Sequence, residues 1–188
     1  LAAYAIGRLR FPGVRLIGWA IFITYLVPRT ILFLPLAQVV QSLGLQNSLW
    51  SLILTHPTFL IPFATWFLIG YYQSIPMELE EAALIDGASR FTVLWRIVIP
   101  LAIPGVLAVA IFSFTQSWNE FLYSLVFISE SSLRTVPIGV TTDLVRGDNF
   151  YWGPLMAGAL LGSVPVALVY SVFVDYFVSG LTAGAVKG

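Results

Sequence analysis

The chain has 188 residues, 59% hydrophobic and 10% charged, with a mean hydropathy of +0.91; soluble domains carry about 25% charged residues, so an ordinary soluble domain is excluded and a membrane is the solvent. Nine bases balance nine acids, so bulk charge points to neither nucleic acid nor an acidic partner. The absence of cysteine excludes disulfides, thiol catalysis and cysteine-ligated metals, and leaves the redox compartment open.

A helix that crosses a bilayer needs about 20 mostly apolar residues, and four stretches qualify: 16–37, 50–71, 101–127 and 151–177. Residues 1–7 are too few to cross and read as the end of a preceding helix. The expected fold is therefore all-α and integral to a membrane: a polytopic helical bundle with four full spanning helices plus that end. The chain opens on Leu1 rather than Met, and no basic region precedes the first apolar run, so no signal peptide is expected. All of 1–188 reads as a single transmembrane domain that begins inside a longer protein. Arg8, Arg10, Arg15, Arg90, Arg96 and Lys187 fall on one side of the predicted membrane, and Arg29, Arg134 and Arg146 on or towards the other. The side richer in bases is expected to be cytoplasmic, which puts segment 74–100 and the C-terminus inside the cell.

The small residues of 1–7 suit close helix packing, Arg8 and Arg10 suit anchoring at the membrane surface, and Pro12-Gly13 is a turn signal. The 16–37 helix carries Pro28 and Pro35, each of which removes a backbone donor and bends a helix. Arg29 beside Pro28 suits either snorkelling to headgroups or a contact with cargo or a binding protein. Segment 38–49 is polar enough to lie outside the membrane, with Gly44 as a break. His56 is the single histidine, and with no cysteine it makes no metal site. A hydrogen bond between helices, or to backbone freed by proline, is expected for it instead. Phe59, Phe63, Trp66 and Phe67 have the helical spacing of packing or lipid contact, and Tyr71 and Tyr72 stand at interface depth.

Segment 74–100 is the longest polar insert between apolar stretches. Acids come first (Glu78, Glu80, Glu81), then Ala82 and Ala83, then Asp86-Gly87, then Arg90 and Arg96. Pro76 suits the first position of a helix and the acids suit its first turns. Gly87 suits the left-handed conformation that closes a helix, and Ser89 suits the cap of a second short helix that Pro100 ends. The segment reads as helix, glycine turn, helix, outside the lipid. Glu81-Ala82-Ala83, Gly87 after three further residues, then Ile97 and Pro100 follow the pattern EAA, three residues, G, nine residues, I-x-L-P, with Ile99 where the pattern has Leu. This resembles the cytoplasmic loop of permease subunits of bacterial ABC importers. The resemblance implies that 74–100 is a cytoplasmic coupling loop docking into a cleft of a separate ATPase subunit. It assigns that coupling to Glu81, Ala82, Ala83, Asp86, Gly87, Ile97 and Pro100, together with Lys187 near the chain's end. Residues 1–13 are also similar to a helix end in sugar-importer permeases, which implies six spanning helices in a full subunit.

Stretch 101–127 starts apolar and turns polar at Ser113, Thr115, Gln116, Ser117, Trp118, Asn119 and Glu120. On an ideal helix Trp118 stands about 26 Å from Leu101, so the polar cluster spans the middle to the far end. Such groups face a cavity or partner helices rather than lipid. Trp118 offers a flat apolar face, Gln116 and Asn119 offer donors and acceptors, and the Glu120 carboxylate has to be paired or wet. An aromatic face with amides is the chemistry that binds a sugar, which makes Gln116, Trp118, Asn119 and Glu120 the candidate substrate path. The competing reading is an interface tryptophan beside a capped helix end. The order S-W-N-E-F also resembles the corresponding helix of carbohydrate permeases. Segment 128–150 carries Glu130, Arg134, Asp143, Arg146, Asp148 and Asn149 and reads as a solvated extracytoplasmic loop. The resemblance makes it a dock for an extracytoplasmic binding protein. Gly158, Gly162 and Ser163 allow close helix packing, Pro165 is a site for a kink, and Asp175 lies near the inner end of the last span. The tail 179–188 is too short and small to fold alone. It resembles the terminal segment of maltose-type sugar permeases, which implies a cytoplasmic tail reaching the ATPase pair.

No G-x-x-x-x-G-K-[ST] loop is present, so the chain itself is not expected to be an enzyme. The expected function is the permease subunit of an ATP-driven ABC importer in the bacterial cytoplasmic (inner) membrane, forming half of the path for a sugar or related polyol. The resemblance implies no cofactor in this chain, and ATP with Mg in the partner ATPase. It implies as partners ABC ATPase subunits, a second related permease, an extracytoplasmic substrate-binding protein, a carbohydrate substrate and membrane lipid, with no nucleic acid. The alternatives are a passive channel or ion-coupled secondary carrier, for which only Glu120, His56 and Asp175 are available as intramembrane ionisable groups, and a membrane scaffold without a transport role.

Overall fold

The computed structural model describes residues 1–146 and 149–185, with side chains described to Val174 except at positions 146–149. The order of elements is α1 (Ala2–Arg8), α2 (Val14–Leu26), α3 (Arg29–Ser42), α4 (Leu49–Thr55), α5 (Pro57–Ser74), α6 (Glu78–Ile85), α7 (Arg90–Val93), a π-helical turn (Leu94–Val98), α8 (Ile99–Trp118), α9 (Leu122–Phe127), a 3-10 turn (Ser131–Leu133), α10 (Val136–Asp143), β1 (Val145–Arg146), β2 (Asn149–Phe150) and α11 (Trp152–Ala185). The two strands pair antiparallel, Val145 opposite Phe150, and among the described residues all other regular structure is helical. Leu49–Ser74, Arg90–Trp118 and Trp152–Val174 are long and apolar enough to cross a membrane; the pair Val14–Leu26 and Arg29–Ser42 makes a fourth span if its two bent halves count as one. This is the all-α, multi-pass membrane fold expected from composition.

The chain forms two compact units, one from Leu1–Thr24 and Pro62–Phe112 with the end of α11, the other from Tyr25–Ile61 and Ser113–Val172. In the first, Tyr4, Tyr71, Tyr72, Val93, Leu94, Val98 and Ala102 form the buried core. Gly105 is what lets α8 lie against α5 there: a Cβ at Gly105 would meet the Tyr71 ring at 2.5 Å. In the second unit Val40, Leu52, Phe59, Tyr123, Phe127 and Ile128 form the core. None of the apolar window of Trp152–Val174 is buried, so that surface is left for lipid or another protein.

Several elements differ from their sequence-based expectation, each for a local reason. The 16–37 stretch is not one straight helix: it breaks between Leu26 and Arg29 and bends by 97°. Pro28 sits in extended backbone (φ −61, ψ 132) and has no N–H to continue α2. Helix α3 then runs through Pro35 into the supposed outer segment and closes at Gly44 (φ +66). Leu45 N–H bonds to Val40 O at 2.9 Å and Gly44 N–H to Gln41 O at 3.0 Å, the paired bonds of a Schellman motif. Pro76 stands before the first turn of α6 rather than in it, with Met77 as the N-cap. Pro100 does not end a helix. Helical structure continues from Arg90 to Trp118, and Ile99 N–H reaches back to Leu94 O. That wide turn supplies slack where the proline ring would otherwise press on the carbonyl of Arg96. The 101–127 stretch ends its first helix at Trp118 and restarts as α9. Segment 128–150 is not simply a solvated loop: it holds α10, whose Ile138 is buried. Helix α11 runs past 177, the expected end of the last span, as far as Ala185.

Candidate functional site

Two groups of candidate residues lie in different units. In the first unit, the acids of α6 do not share a face. Helical spacing turns Glu80, Ala83 and Leu84 inward and leaves Glu78, Glu81, Ala82 and Ile85 exposed, Ile85 at 86%. Glu80 is 2% exposed. The Tyr4 hydroxyl donates to its Oε2 at 2.8 Å, and Arg8 Nε lies 3.2 Å from its Oε1. The same guanidinium donates to the Ile75 carbonyl and to the Met77 sulfur. Helix α6 stops as its glycine requires: Gly87 has φ +86, Ala88 N–H bonds to Ala83 O at 3.0 Å, and Gly87 N–H bonds to Leu84 O at 3.1 Å. Asp86 is exposed beside it. Ser89 Oγ accepts from Thr92 N–H at 3.2 Å and starts α7. Phe91 and Trp95 are exposed beyond, Ile97 is half-buried in the π turn, and Pro100 is exposed. Lys187 and the side chain of Asp175 lie outside the described residues. The result is a short helix presenting two carboxylates, Glu78 and Glu81, with Ala82 and the larger apolar Leu79 and Ile85 to the exterior, a surface able to receive a partner.

In the second unit, the polar cluster falls at the end of α8 and in the break before α9. Gln116 Oε1 accepts from Arg29 Nη1 at 3.2 Å, and the Arg29 guanidinium lies 4.3 Å from the centre of the Phe59 ring. Arg29 therefore turns inward rather than to headgroups. Trp118 Nε1 donates to Gly162 O at 2.8 Å, and its ring stacks on Phe114 with centroids 5.7 Å apart. The close approach behind that bond is made by glycines: a Cβ at Gly158 would meet Val140 Cγ2 at 2.9 Å and one at Gly162 would meet Val136 Cγ1 at 3.2 Å. Asn119 is exposed and donates from Nδ2 to Thr115 O at 2.9 Å. Glu120 is 8% exposed; its Oε1 accepts from Tyr123 N–H at 2.9 Å and its Oε2 from Ser124 N–H at 3.1 Å. That carboxylate caps α9, where the helix dipole favours negative charge. His56 makes the interhelical bond expected of it, Nδ1 to Ser117 Oγ at 2.6 Å, with Nε2 3.8 Å from Glu120 Oε2. Trp118 lines two cavities. One of about 660 Å³ also holds His56, Ser117, Arg134 and Thr135; the other, about 610 Å³, holds Asn119, Thr141, Ser163 and Tyr170. Both are mainly apolar with a few polar groups, the usual make-up of a small-molecule site. No cluster of three or more His, Cys, Asp or Glu that could hold a metal occurs among the described residues.

Three functional-looking features escaped the sequence. Asn47 takes positive φ (53°), and its Oδ1 accepts from Ser129 N–H at 2.6 Å and Glu130 N–H at 3.2 Å. Arg134 pairs with Asp143 at 2.7 Å, tying the turn before α10 to its last residue. Arg8, read as a surface anchor, is a buried partner of Glu80 instead. Only the last had a legible signal, the i, i+3, i+4 spacing that separates Glu80 from Glu78 and Glu81.

Residues 1–183 match the family described as "Binding-protein-dependent transport system inner membrane component". The chain is 37% identical over its whole length to the inner membrane ABC transporter permease protein YcjP of Escherichia coli (strain K12), covering 67% of that protein. It is 40% identical, again over its whole length, to the sulfoquinovosyl glycerol transport system permease protein SmoH of Agrobacterium fabrum, covering 66% of it. It is 35% identical to the trehalose/maltose transport system permease protein MalG of Thermococcus litoralis, covering 68%. The chain thus spans about two thirds of the length of these relatives. Among solved structures, a bacterial ABC transporter involved in the import of the acidic polysaccharide alginate superposes with a TM-score of 0.67 at 25% identity, over 93% of this chain and 66% of that one. With a membrane fold, a glycine-closed EAA helix and a match over nearly all its residues, the chain belongs to the family of inner-membrane components of binding-protein-dependent transport systems, and within it resembles the ABC permeases for carbohydrates.

Proposed function

We propose that the chain is the permease subunit of an ATP-driven importer, forming half of the path for a carbohydrate or related polyol across the bacterial inner membrane. In this reading 74–100 faces the cytoplasm and α6 docks on a separate ATPase, which holds the ATP and Mg. A second, related permease completes the path, and an extracytoplasmic binding protein delivers cargo on the side of 128–150. The observation that carries the proposal is the exposed face of α6. A helix fixed from behind by a buried carboxylate offers Glu81, Ala82 and Ile85 outward. Alanine lets a partner's surface approach the backbone, Ile85 supplies apolar area, and Glu81 stands exposed, where it can pair with a base. The names of the relatives, which transport sulfoquinovosyl glycerol or trehalose and maltose, support a carbohydrate as cargo.

Co-purification of the ATPase and cargo-stimulated hydrolysis in reconstituted membranes test this. Reversing a charge at a partly desolvated interface costs about 2–5 kcal/mol. Glu81→Lys is therefore expected to lose the ATPase or its stimulation while the permease still inserts. Wild-type values of both for Glu81→Lys would remove the docking assignment. Uptake driven by an ion gradient with no ATP would replace the importer with a carrier.

A further inference from the structure

We propose that Glu80, gripped by Arg8 and Tyr4, is a positioning residue for coupling: it selects which face of α6 meets the motor and links that helix to the end of α1. This rests on the docking role proposed for α6. The starting point is an ambiguity in the helix itself. Its sequence, ELEEAALI, has two apolar sides, one with Ala83 and Leu84 and one with Ala82 and Ile85. Acids stand at Glu78, Glu80 and Glu81, so a turn of about 150° about the axis exchanges Glu80 with Ala83 and Leu84 for Glu81 with Ala82 and Ile85. Hydrophobic burial alone does not separate the two arrangements. A buried base does. Arg8 Nε stands 3.2 Å from Glu80 Oε1 and the Tyr4 hydroxyl donates to Oε2 at 2.8 Å, so the observed rotation sets the carboxylate between a charge partner and a hydrogen-bond donor.

The cost of burying charge sharpens the point. A buried ion pair is often no more stabilising than apolar groups of the same volume, and its best-attested use is to specify register. Here Glu80 and Arg8 are nearly sealed, with side-chain exposures of 3% and 7%. The Arg8 guanidinium also bonds to the Ile75 carbonyl and the Met77 sulfur, in the link from α5 to α6. One side chain therefore joins α1, the end of α5 and the start of α6. Force arriving on the exposed face of α6 reaches α1 and α5 through that junction.

The test separates register from mere stability. In the importer reconstituted with its ATPase, binding protein and cargo, the ratio of cargo-stimulated to basal hydrolysis is measured for wild type, Glu81→Lys and the double variant Arg8→Met, Glu80→Leu. The double variant removes both charges, so no unpaired charge is left buried and insertion is expected to hold, with thermal stability lowered only by the Tyr4 hydroxyl losing its acceptor and the Ile75 carbonyl its donor. Its stimulation ratio is expected to fall about tenfold, within the usual span of coupling between sites. A wild-type ratio in the double variant overturns the proposal. If the double variant fails to insert, Tyr4→Phe, which deletes one hydroxyl from the same junction, decides: a fall of about threefold, the size of one lost hydrogen bond, supports it, and a wild-type ratio overturns it. Loss of stimulation in Glu81→Lys with a wild-type ratio in the double variant leaves the docking role standing and removes only this inference. Wild-type behaviour of Glu81→Lys removes both.

Discussion

Gly87 and Gly105 are glycines for unrelated reasons, and substitution separates them. Gly87 has open space around a Cβ but a φ of +86. A β-branched side chain in that conformation costs about 1–2 kcal/mol, so Gly87→Val is expected to loosen the end of α6 and reduce ATPase stimulation with little change in insertion. Hydrogen exchange of the α6 amides reads the loosening; wild-type protection there would mean the turn tolerates the strain. Gly105 has ordinary backbone but no room, since a Cβ there would meet Tyr71 Cγ at 2.5 Å. Overpacking costs about 1–3 kcal/mol, so Gly105→Ala is expected to lower the melting temperature in detergent. Gly70→Ala, where nothing lies within 4 Å, is the matched control and is expected to be neutral or stabilising. Equal melting of the two alanine variants would mean that α5 and α8 part easily. Glu120 presents a third kind of residue. Both oxygens accept backbone N–H groups, so Glu120→Ala removes a cap and is expected to cost about 1–2 kcal/mol of stability. If instead melting is unchanged and only the cargo concentration for half-maximal transport moves, the carboxylate works on cargo and not on α9.

What a reader could see in the sequence follows the range of each interaction. The closure of α6 at Gly87 was legible because left-handed backbone is a local demand that glycine answers. The break at Pro28 was half legible: the lost donor is local, but nothing in the neighbouring residues sets the size of the 97° bend. Pro100 misled because its cost is met upstream, by the wide turn at Leu94–Val98, and nothing in I-V-I-P announces that compensation. Helix α10 was invisible. VPIGVTTD is rich in β-branched residues and contains Pro137 and Gly139, poor helix formers. What holds it is tertiary: Ile138 is buried, and Val136 and Val140 seat against Gly162 and Gly158 on α11. The dependence is testable within this element pair. Gly158→Leu forces a side chain into space already occupied at 2.9 Å by Val140. It is expected to expose α10 to proteolysis while the spans stay inserted, and an unchanged cleavage pattern would show that α10 holds without that seat.

At the scale of the whole molecule, the candidate path depends on a single side chain that does two things. Trp118 faces both cavities of the second unit, and it also holds α8 to α11 through the bond from Nε1 to Gly162 O at 2.8 Å. The indole face is the part that a sugar would stack on, while the N–H is the part that the fold uses. Two substitutions pull these apart. Trp118→Phe keeps an aromatic face and loses the N–H, leaving Gly162 O without that donor; the loss of one such bond is about 0.5–1.5 kcal/mol. Trp118→Ala loses both, and joins the space on either side of the ring. If the face serves the cargo, transport is expected to fall only modestly in Trp118→Phe and by an order of magnitude or more in Trp118→Ala, about 1.4 kcal/mol for each factor of ten, with ATPase association unchanged in both. The measurement is uptake of labelled sugar into proteoliposomes at equal inserted permease, beside co-purification of the ATPase. Equal and severe loss in both variants would show that the bond to Gly162 governs transport through the helix packing. Equal and wild-type uptake in both would place the cargo elsewhere and withdraw Trp118 from the path, together with Asn119, which lines the second cavity beside it.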